Sequence, residues 1–97
     1  MMQFEEAKQL AAQEVERRRR TSAFWYPVDD LGEVQLTEET PEFWVFFARS
    51  EKLIQASHAP GGMHVTVDKQ SGHIWTRQEI QSYYEARAAS SRQKIAA

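Results

Sequence analysis

Residues 63–75 read Met-His-Val-Thr-Val-Asp-Lys-Gln-Ser-Gly-His-Ile-Trp, and this stretch decides the fold of the chain. Val65 and Val67 alternate with polar neighbours, and a polar turn that ends in Gly72 follows. An isoleucine and a tryptophan then restore the apolar character. Alternation, a glycine-containing turn and a second apolar stretch are typical of a β-hairpin. The stretch therefore predicts two short antiparallel strands.

Two further strands are predicted upstream of the hairpin. Residues 42–49 place apolar side chains on both faces of a strand, with Phe43, Val45 and Phe47 on one face and Trp44, Phe46 and Ala48 on the other. Such a strand is usually covered on both sides. Residues 33–37 alternate polar and apolar side chains, which predicts a half-buried strand. Residues 38–41 contain a proline and predict the turn between the two strands.

Helical patterns flank the strands. Residues 3–20 form an amphipathic pattern, whose apolar positions are Phe4, Ala7, Leu10, Ala11 and Val15. The last helix is predicted to begin at Thr76, because Thr76 and Glu79 have the spacing of a capping box. We expect this helix to fray from about residue 90, where the sequence is small and polar. The aromatic segment 24–27 is predicted to be a connector that covers one end of the core.

Length and composition restrict the class of protein. Ninety-seven residues suit a single domain, predicted over residues 1–97. The chain has no cysteine, which excludes disulfides and thiolate metal sites. The net charge of −2 disfavours non-specific nucleic-acid binding. No segment has the pattern of a signal peptide or a transmembrane helix, so we predict a cytoplasmic protein without membrane contact.

No catalytic or metal-binding constellation is recognisable. The three histidines, His58, His64 and His73, do not match a zinc signature. No serine or threonine stands in the context of an activated nucleophile. The basic run Arg17–Arg20 near the aromatic segment has some character of an RNA binder, but the helix dipole already favours arginines there. We therefore predict a protein that is not an enzyme, needs no cofactor and binds no nucleic acid.

The predicted fold class is α+β. An N-terminal helix is expected to pack on an antiparallel sheet of three or four strands, and a C-terminal helix follows the sheet. The sheet needs at least one helix across it, because its apolar side must be buried.

The segment from Glu42 to Trp75 resembles the immunity protein 35 family of bacterial toxin systems, which also includes a small heat-shock-type chaperone. The resemblance rests on Trp44-x-Phe46, on residues 59–62 (Ala-Pro-Gly-Gly), and on residues 65–69 (Val-Thr-Val-Asp-Lys) leading to residues 71–74 (Ser-Gly-His-Ile). It implies a non-enzymatic binder of a cognate toxin in the bacterial cytoplasm, with no catalytic residues to carry over.

The leading functional hypothesis is an immunity protein that neutralises a toxin by direct binding. We predict that its contact surface includes Glu38, Glu39, Glu42, Trp44, Phe46 and Trp75. The alternative is a small chaperone that holds apolar segments of client proteins through Trp44, Phe46 and Trp75. A third hypothesis is an accessory domain that pairs two chains into a homodimer through an exposed strand edge.

Overall fold

A computed structural model describes the backbone of residues 1–21 and 30–96, and side chains as far as residue 90. The elements along the chain are α1 (Phe4–Thr21), β1 (Gln35–Glu39), β2 (Phe43–Arg49), α2 (Glu51–Gln55), β3 (Gly62–Asp68) and α3 (Arg77–Ala96). The aromatic connector predicted at residues 24–27 lies outside the described residues.

The three strands form one antiparallel sheet in the order β1-β2-β3, which confirms the predicted α+β class. Phe46 lies opposite Val65 of β3 and opposite Leu36 of β1. The β1–β2 register shifts between Leu36 and Glu38, which is a β-bulge at Thr37. The central strand β2 is therefore paired on both sides, whereas β1 and β3 are edge strands.

Helix α1 packs against one face of the sheet, as its apolar pattern predicted. Ala7, Ala11 and Val15 are buried against the β2 side chains Trp44, Phe46 and Ala48 and the β3 side chains Met63, Val65 and Val67. Phe4 lies with its ring centroid 5.8 Å from that of Trp44 and 5.6 Å from that of Phe46. The small alanines let the helix approach closely, and this contact forms the hydrophobic core.

The predicted hairpin is present in a shortened form. Its first strand is β3, and its second strand is reduced to a single bridge between Val67 and Ile74. The carboxylate of Asp68 holds the turn, because it accepts hydrogen bonds from the backbone N–H groups of Gln70 and Ser71 and from the Trp75 indole. Gly72 has a φ of 75°, a conformation that glycine adopts without a steric penalty.

The predicted position of the first strand was wrong by two residues, and its burial was also wrong. Glu38 and Glu39 belong to β1 and pair with Val45 and Trp44, so the turn begins only at Thr40. All five residues of β1 are exposed. The reason is tertiary, because α1 packs on β2 and β3 and leaves β1 uncovered.

The connection between β2 and β3 contains the short helix α2. Ser50 caps this helix by accepting from the Leu53 backbone N–H, and its hydroxyl donates to Asp30 over 2.6 Å. At Gly62 the chain passes so close to the Ala48 carbonyl and the Phe47 ring that a Cβ would overlap both. A larger residue at this position would force the strands apart.

Helix α3 begins with the predicted capping box. The Glu79 backbone N–H donates to the Thr76 hydroxyl over 3.2 Å, and the Glu79 carboxylate accepts from the Thr76 backbone N–H over 2.8 Å. The helix runs to Ala96, and the fraying expected from about residue 90 stays a prediction. None of its described side chains, residues 77–90, is buried.

Candidate interaction surface

The acidic edge, which we define as Glu38, Glu39 and Glu42, lies at the exposed edge of the sheet. Glu38 and Glu39 end the edge strand β1, and Glu42 follows in the turn to β2. Thr40 holds this turn, because its hydroxyl oxygen accepts from the backbone N–H groups of Glu42 and Phe43. Three of the predicted contact residues are thus brought together on one exposed surface.

One carboxylate of the acidic edge is neutralised by a lysine. The Lys69 ammonium lies 2.5 Å from Glu39 Oε2 and 5.3 Å from the centroid of the Trp44 ring. The hydrogen bond from Lys69, and then its charge, lower the pKa of Glu39. Because the Lys69 side chain is largely buried, this pair ties the acidic edge to the turn of the hairpin.

The other two carboxylates have uncharged partners. The Tyr83 hydroxyl donates to Glu42 Oε2 over 2.7 Å, and the Tyr84 hydroxyl donates to Glu38 Oε1 over 2.9 Å. The Tyr83 hydrogen bond lowers the pKa of Glu42. Burial, followed by the hydrogen bond to Glu38, raises the pKa of Tyr84. A tyrosine hydroxyl does not cancel a carboxylate charge, but the positive charge of Arg87 in α3 also acts on Glu42 and partly offsets it.

An aromatic cluster supports the two tyrosines on the sheet face opposite α1. The Phe43 ring centroid lies 4.8 Å from that of Trp75 and 5.1 Å from that of Tyr83, and both pairs are edge-to-face. Tyr83 also contacts Tyr84 edge-to-face at 5.3 Å. Trp75 therefore acts as a partly buried support for α3. The sequence contained the tyrosine pair, but its hydrogen bonds to the acidic edge were not predicted.

Trp44 and Phe46 do not lie on the exposed surface, and their predicted contact role needs correction. Trp44 is 5% exposed and Phe46 is 0% exposed, both beneath α1. The sequence pattern of β2 is apolar on both faces, so it could not indicate which face the helix covers. In this fold the two side chains stabilise the core, and a partner could touch them only if α1 moved away.

The basic run of α1 is engaged within its own helix. Glu14 pairs with Arg17 and Arg18, and Glu16 pairs with Arg19 and Arg20. The pKa of each glutamate is lowered to about 2. The main cause is the hydrogen bond from Arg17 for Glu14 and the hydrogen bond from Arg19 for Glu16. Arg18 also donates to the His64 carbonyl over 2.9 Å. These pairs reduce the positive potential that the run Arg17–Arg20 would otherwise present.

A groove of about 590 Å³ lies along the outer side of β3 and is a second surface feature. Its walls include Met63, His64, Trp75, Arg77 and Ile80. The backbone edge of β3 is already occupied there, because the Thr66 carbonyl accepts from the Trp75 N–H and Arg18 covers the His64 carbonyl. This groove has fewer free backbone groups than the β1 edge.

The histidines lie apart. His64 on β3 stacks at 4.5 Å on Phe47, and the His73 Nε2 lies 2.9 Å from Glu79 at the start of α3. His58 is in the loop after α2, where its backbone N–H donates to the Leu53 carbonyl. Within residues 1–21 and 30–96, no group of three or more histidine, aspartate or glutamate side chains is placed to hold a metal ion.

The described helices include none that combines the length and the apolar character needed to cross a membrane. Comparisons of the chain with protein-family models, with curated proteins and with solved structures found no match. The resemblance of residues 42–75 to the immunity protein 35 family therefore remains a prediction.

Proposed function

We propose that this chain is a non-enzymatic immunity protein of the bacterial cytoplasm, which neutralises a cognate protein toxin by direct binding. The acidic edge supports this proposal most directly. Glu38 at the end of β1 and Glu42 in the turn after it are exposed carboxylates that accept hydrogen bonds from uncharged tyrosines. A rigid, negatively charged surface of this kind suits a partner with a basic contact surface.

The physical role of the acidic edge is to accelerate and orient association. Complementary charges raise association rates by steering the encounter, and the effect weakens as salt screens the charges. Basic surfaces are expected on toxins that act on nucleic acids, because such toxins must bind phosphates. The partly buried Trp75 and the tyrosines beside the acidic edge would add contact area, since these residue types dominate binding hot spots.

The test uses the protein encoded next to this gene as the candidate toxin. Its expression should arrest growth, and co-expression of this chain should restore growth. With the purified pair, the double variant Glu38→Gln and Glu42→Gln should slow association about tenfold at low salt and less at high salt. Neutralising Glu5 and Glu51, which are exposed but lie on α1 and α2, is the matched control and should leave the rate within about twofold.

An association rate that is unchanged in the edge variant would remove the acidic edge from the mechanism. Failure of the chain to bind any protein encoded beside it, or to restore growth, would refute the immunity proposal itself.

A small chaperone is the second candidate function. Val45 and Phe47 on the sheet face opposite α1 are only half-buried, and they provide apolar surface for a client segment. Trp44 and Phe46, which this hypothesis also used, are in the core. Suppression of the aggregation of several unrelated heated proteins would support a chaperone, whereas binding to one partner alone would contradict it.

A further inference from the structure

Among the residues that the structure describes, no strand occupies the outer edge of β1, which is an edge strand of the sheet. All five of its residues are exposed, and Leu36 is 41% exposed in the middle of an otherwise polar strand. An edge strand presents a row of backbone donors and acceptors that can pair with another extended chain.

The register shows which residue directs its backbone groups outward. In an antiparallel sheet, successive residues direct their N–H and C=O groups to alternate sides of the strand. The Thr66 carbonyl points to the outer side of β3, where it accepts a hydrogen bond from the Trp75 backbone N–H. The neighbouring residue Val65 therefore directs its N–H and C=O inward, toward Phe46 of β2. Leu36 lies opposite Phe46 on the other side of β2. Because the N–H and C=O of Phe46 bond to β3, they are not available to Leu36. The N–H and C=O of Leu36 thus face outward.

Helix α3 forms one side of this open edge. It begins beside β3, passes Phe43 at Tyr83, and reaches β1 where Tyr84 donates to Glu38. The helix continues for twelve residues after Tyr84, to Ala96, a length of roughly 18 Å. Residues 85–90 of this part are exposed. An extended segment at the outer edge of β1 would therefore lie beside the exposed part of α3.

We propose that β1 binds an extended, basic segment of its partner as a fourth antiparallel strand of the sheet. The inference rests on the proposed function and names the way in which the partner is held. The charge of the edge selects the occupant, because β1 and the turn after it carry Glu38, Glu39 and Glu42 and no basic residue. Basic side chains would reach the carboxylates of Glu38 and Glu42, although the charge of Arg87 partly offsets that of Glu42, and an apolar side chain would cover Leu36. A second copy of β1 is disfavoured, because it would bring like charges together.

The probe is an acetylated, amidated hexapeptide of alternating lysine and valine, titrated into the ¹⁵N-labelled full chain. We expect amide shifts in residues 35–39 and saturation below about 1 mM. The comparison peptide is N-methylated at its two central residues, which removes a backbone donor from each edge and leaves the charge unchanged. It should bind at least about fivefold more weakly, as expected for the loss of one hydrogen bond.

The matched protein variants are Leu36→Pro and Leu36→Ala. Both remove the leucine side chain, but only Leu36→Pro removes the outward N–H, and proline is tolerated at such edge positions. Binding should fall at least about fivefold in Leu36→Pro relative to Leu36→Ala, while both variants keep the circular dichroism of the parent chain.

Equal binding of the two peptides, or equal binding by the two variants, would overturn strand addition. If peptide binding is nevertheless lost in the Glu38→Gln and Glu42→Gln double variant, the acidic edge remains the contact surface. In that case only strand addition, as the mode of binding, is refuted. Absence of peptide binding at about 1 mM, or shifts confined to the groove beside β3, would also overturn the inference.

Discussion

The hydroxyl of Tyr84 in α3 donates a hydrogen bond to the carboxylate of Glu38 in β1, across 46 positions of the sequence. Together with the bond from Tyr83 to Glu42, it links the last helix to the exposed edge of the sheet. Since α3 has no buried side chain among residues 77–90, these two bonds and the aromatic cluster beside them hold the helix in place.

Removal of the tyrosine hydroxyls should therefore loosen α3 more than the rest of the fold. The Tyr83→Phe and Tyr84→Phe double variant keeps both rings and loses both hydrogen bonds. We expect each lost hydroxyl to lower the free energy of unfolding by about 0.5–1 kcal/mol. This is the lower part of the usual range, because Tyr84 is 39% exposed. Hydrogen exchange should accelerate in residues 77–90 and stay unchanged in β2. Uniform acceleration across both elements would contradict a local role.

The attachment of α3 should also depend on pH at both ends of the scale. The pKa of Glu42 is lowered in the fold, so its stabilising effect is present above its unfolded pKa and is lost as acid protonates it. The pKa of Tyr84 is raised, so its contribution is present below its unfolded value and is lost at higher pH. The protection factors of residues 77–90, which correct for the intrinsic rise of amide exchange with pH, should thus be largest between about pH 5 and pH 9. The double phenylalanine variant should lose most of this dependence.

Asp68 is predicted to be the most important polar side chain of the hairpin. Burial alone would raise its pKa, but the hydrogen bonds from Ser71, Gln70 and Trp75 together lower it. Asp68→Ala should cost about 1–3 kcal/mol of unfolding free energy, because the two backbone donors and the indole lose their acceptor. Asp68→Asn keeps one acceptor oxygen and should cost less. Urea denaturation of the two variants gives the comparison, and equal stabilities would contradict the assignment.

The assignment of Trp44 and Phe46 to the core can be tested against Leu36, an apolar residue on the exposed strand. Phe46→Ala should destabilise the fold by about 3–5 kcal/mol, because it creates a cavity under α1. Leu36→Ala should change stability by no more than about 0.5 kcal/mol. Thermal denaturation separates these outcomes clearly. A small effect at Phe46 would show that α1 does not cover this face.

Local patterns predicted most of the fold because they depend on neighbouring residues alone. The apolar spacing of α1, the capping box at Thr76 and the glycine turn at Gly72 are of this kind. The boundaries of β1 were missed, because Glu38 and Glu39 have low strand propensity and are held there by pairing with β2. Which face of β2 the helix covers also depends on packing between distant elements. The sequence pattern of β2, which is apolar on both faces, therefore could not predict which face α1 covers.

Only the local part of the candidate surface could be predicted from the sequence. The three glutamates of the acidic edge are close in sequence, so their proximity followed from a short turn. Their tyrosine partners on α3 and the lysine of the hairpin approach them only after the chain folds.

Hydrogen exchange on this chain, alone and in complex with the toxin encoded beside its gene, tests directly whether β1 binds a partner strand. Strand addition at β1 predicts strong protection of the backbone amides of residues 35–40 and 42 on binding, with the greatest change at Leu36. Protection confined to the groove beside β3, with residues 35–42 exchanging as in the free protein, would contradict it.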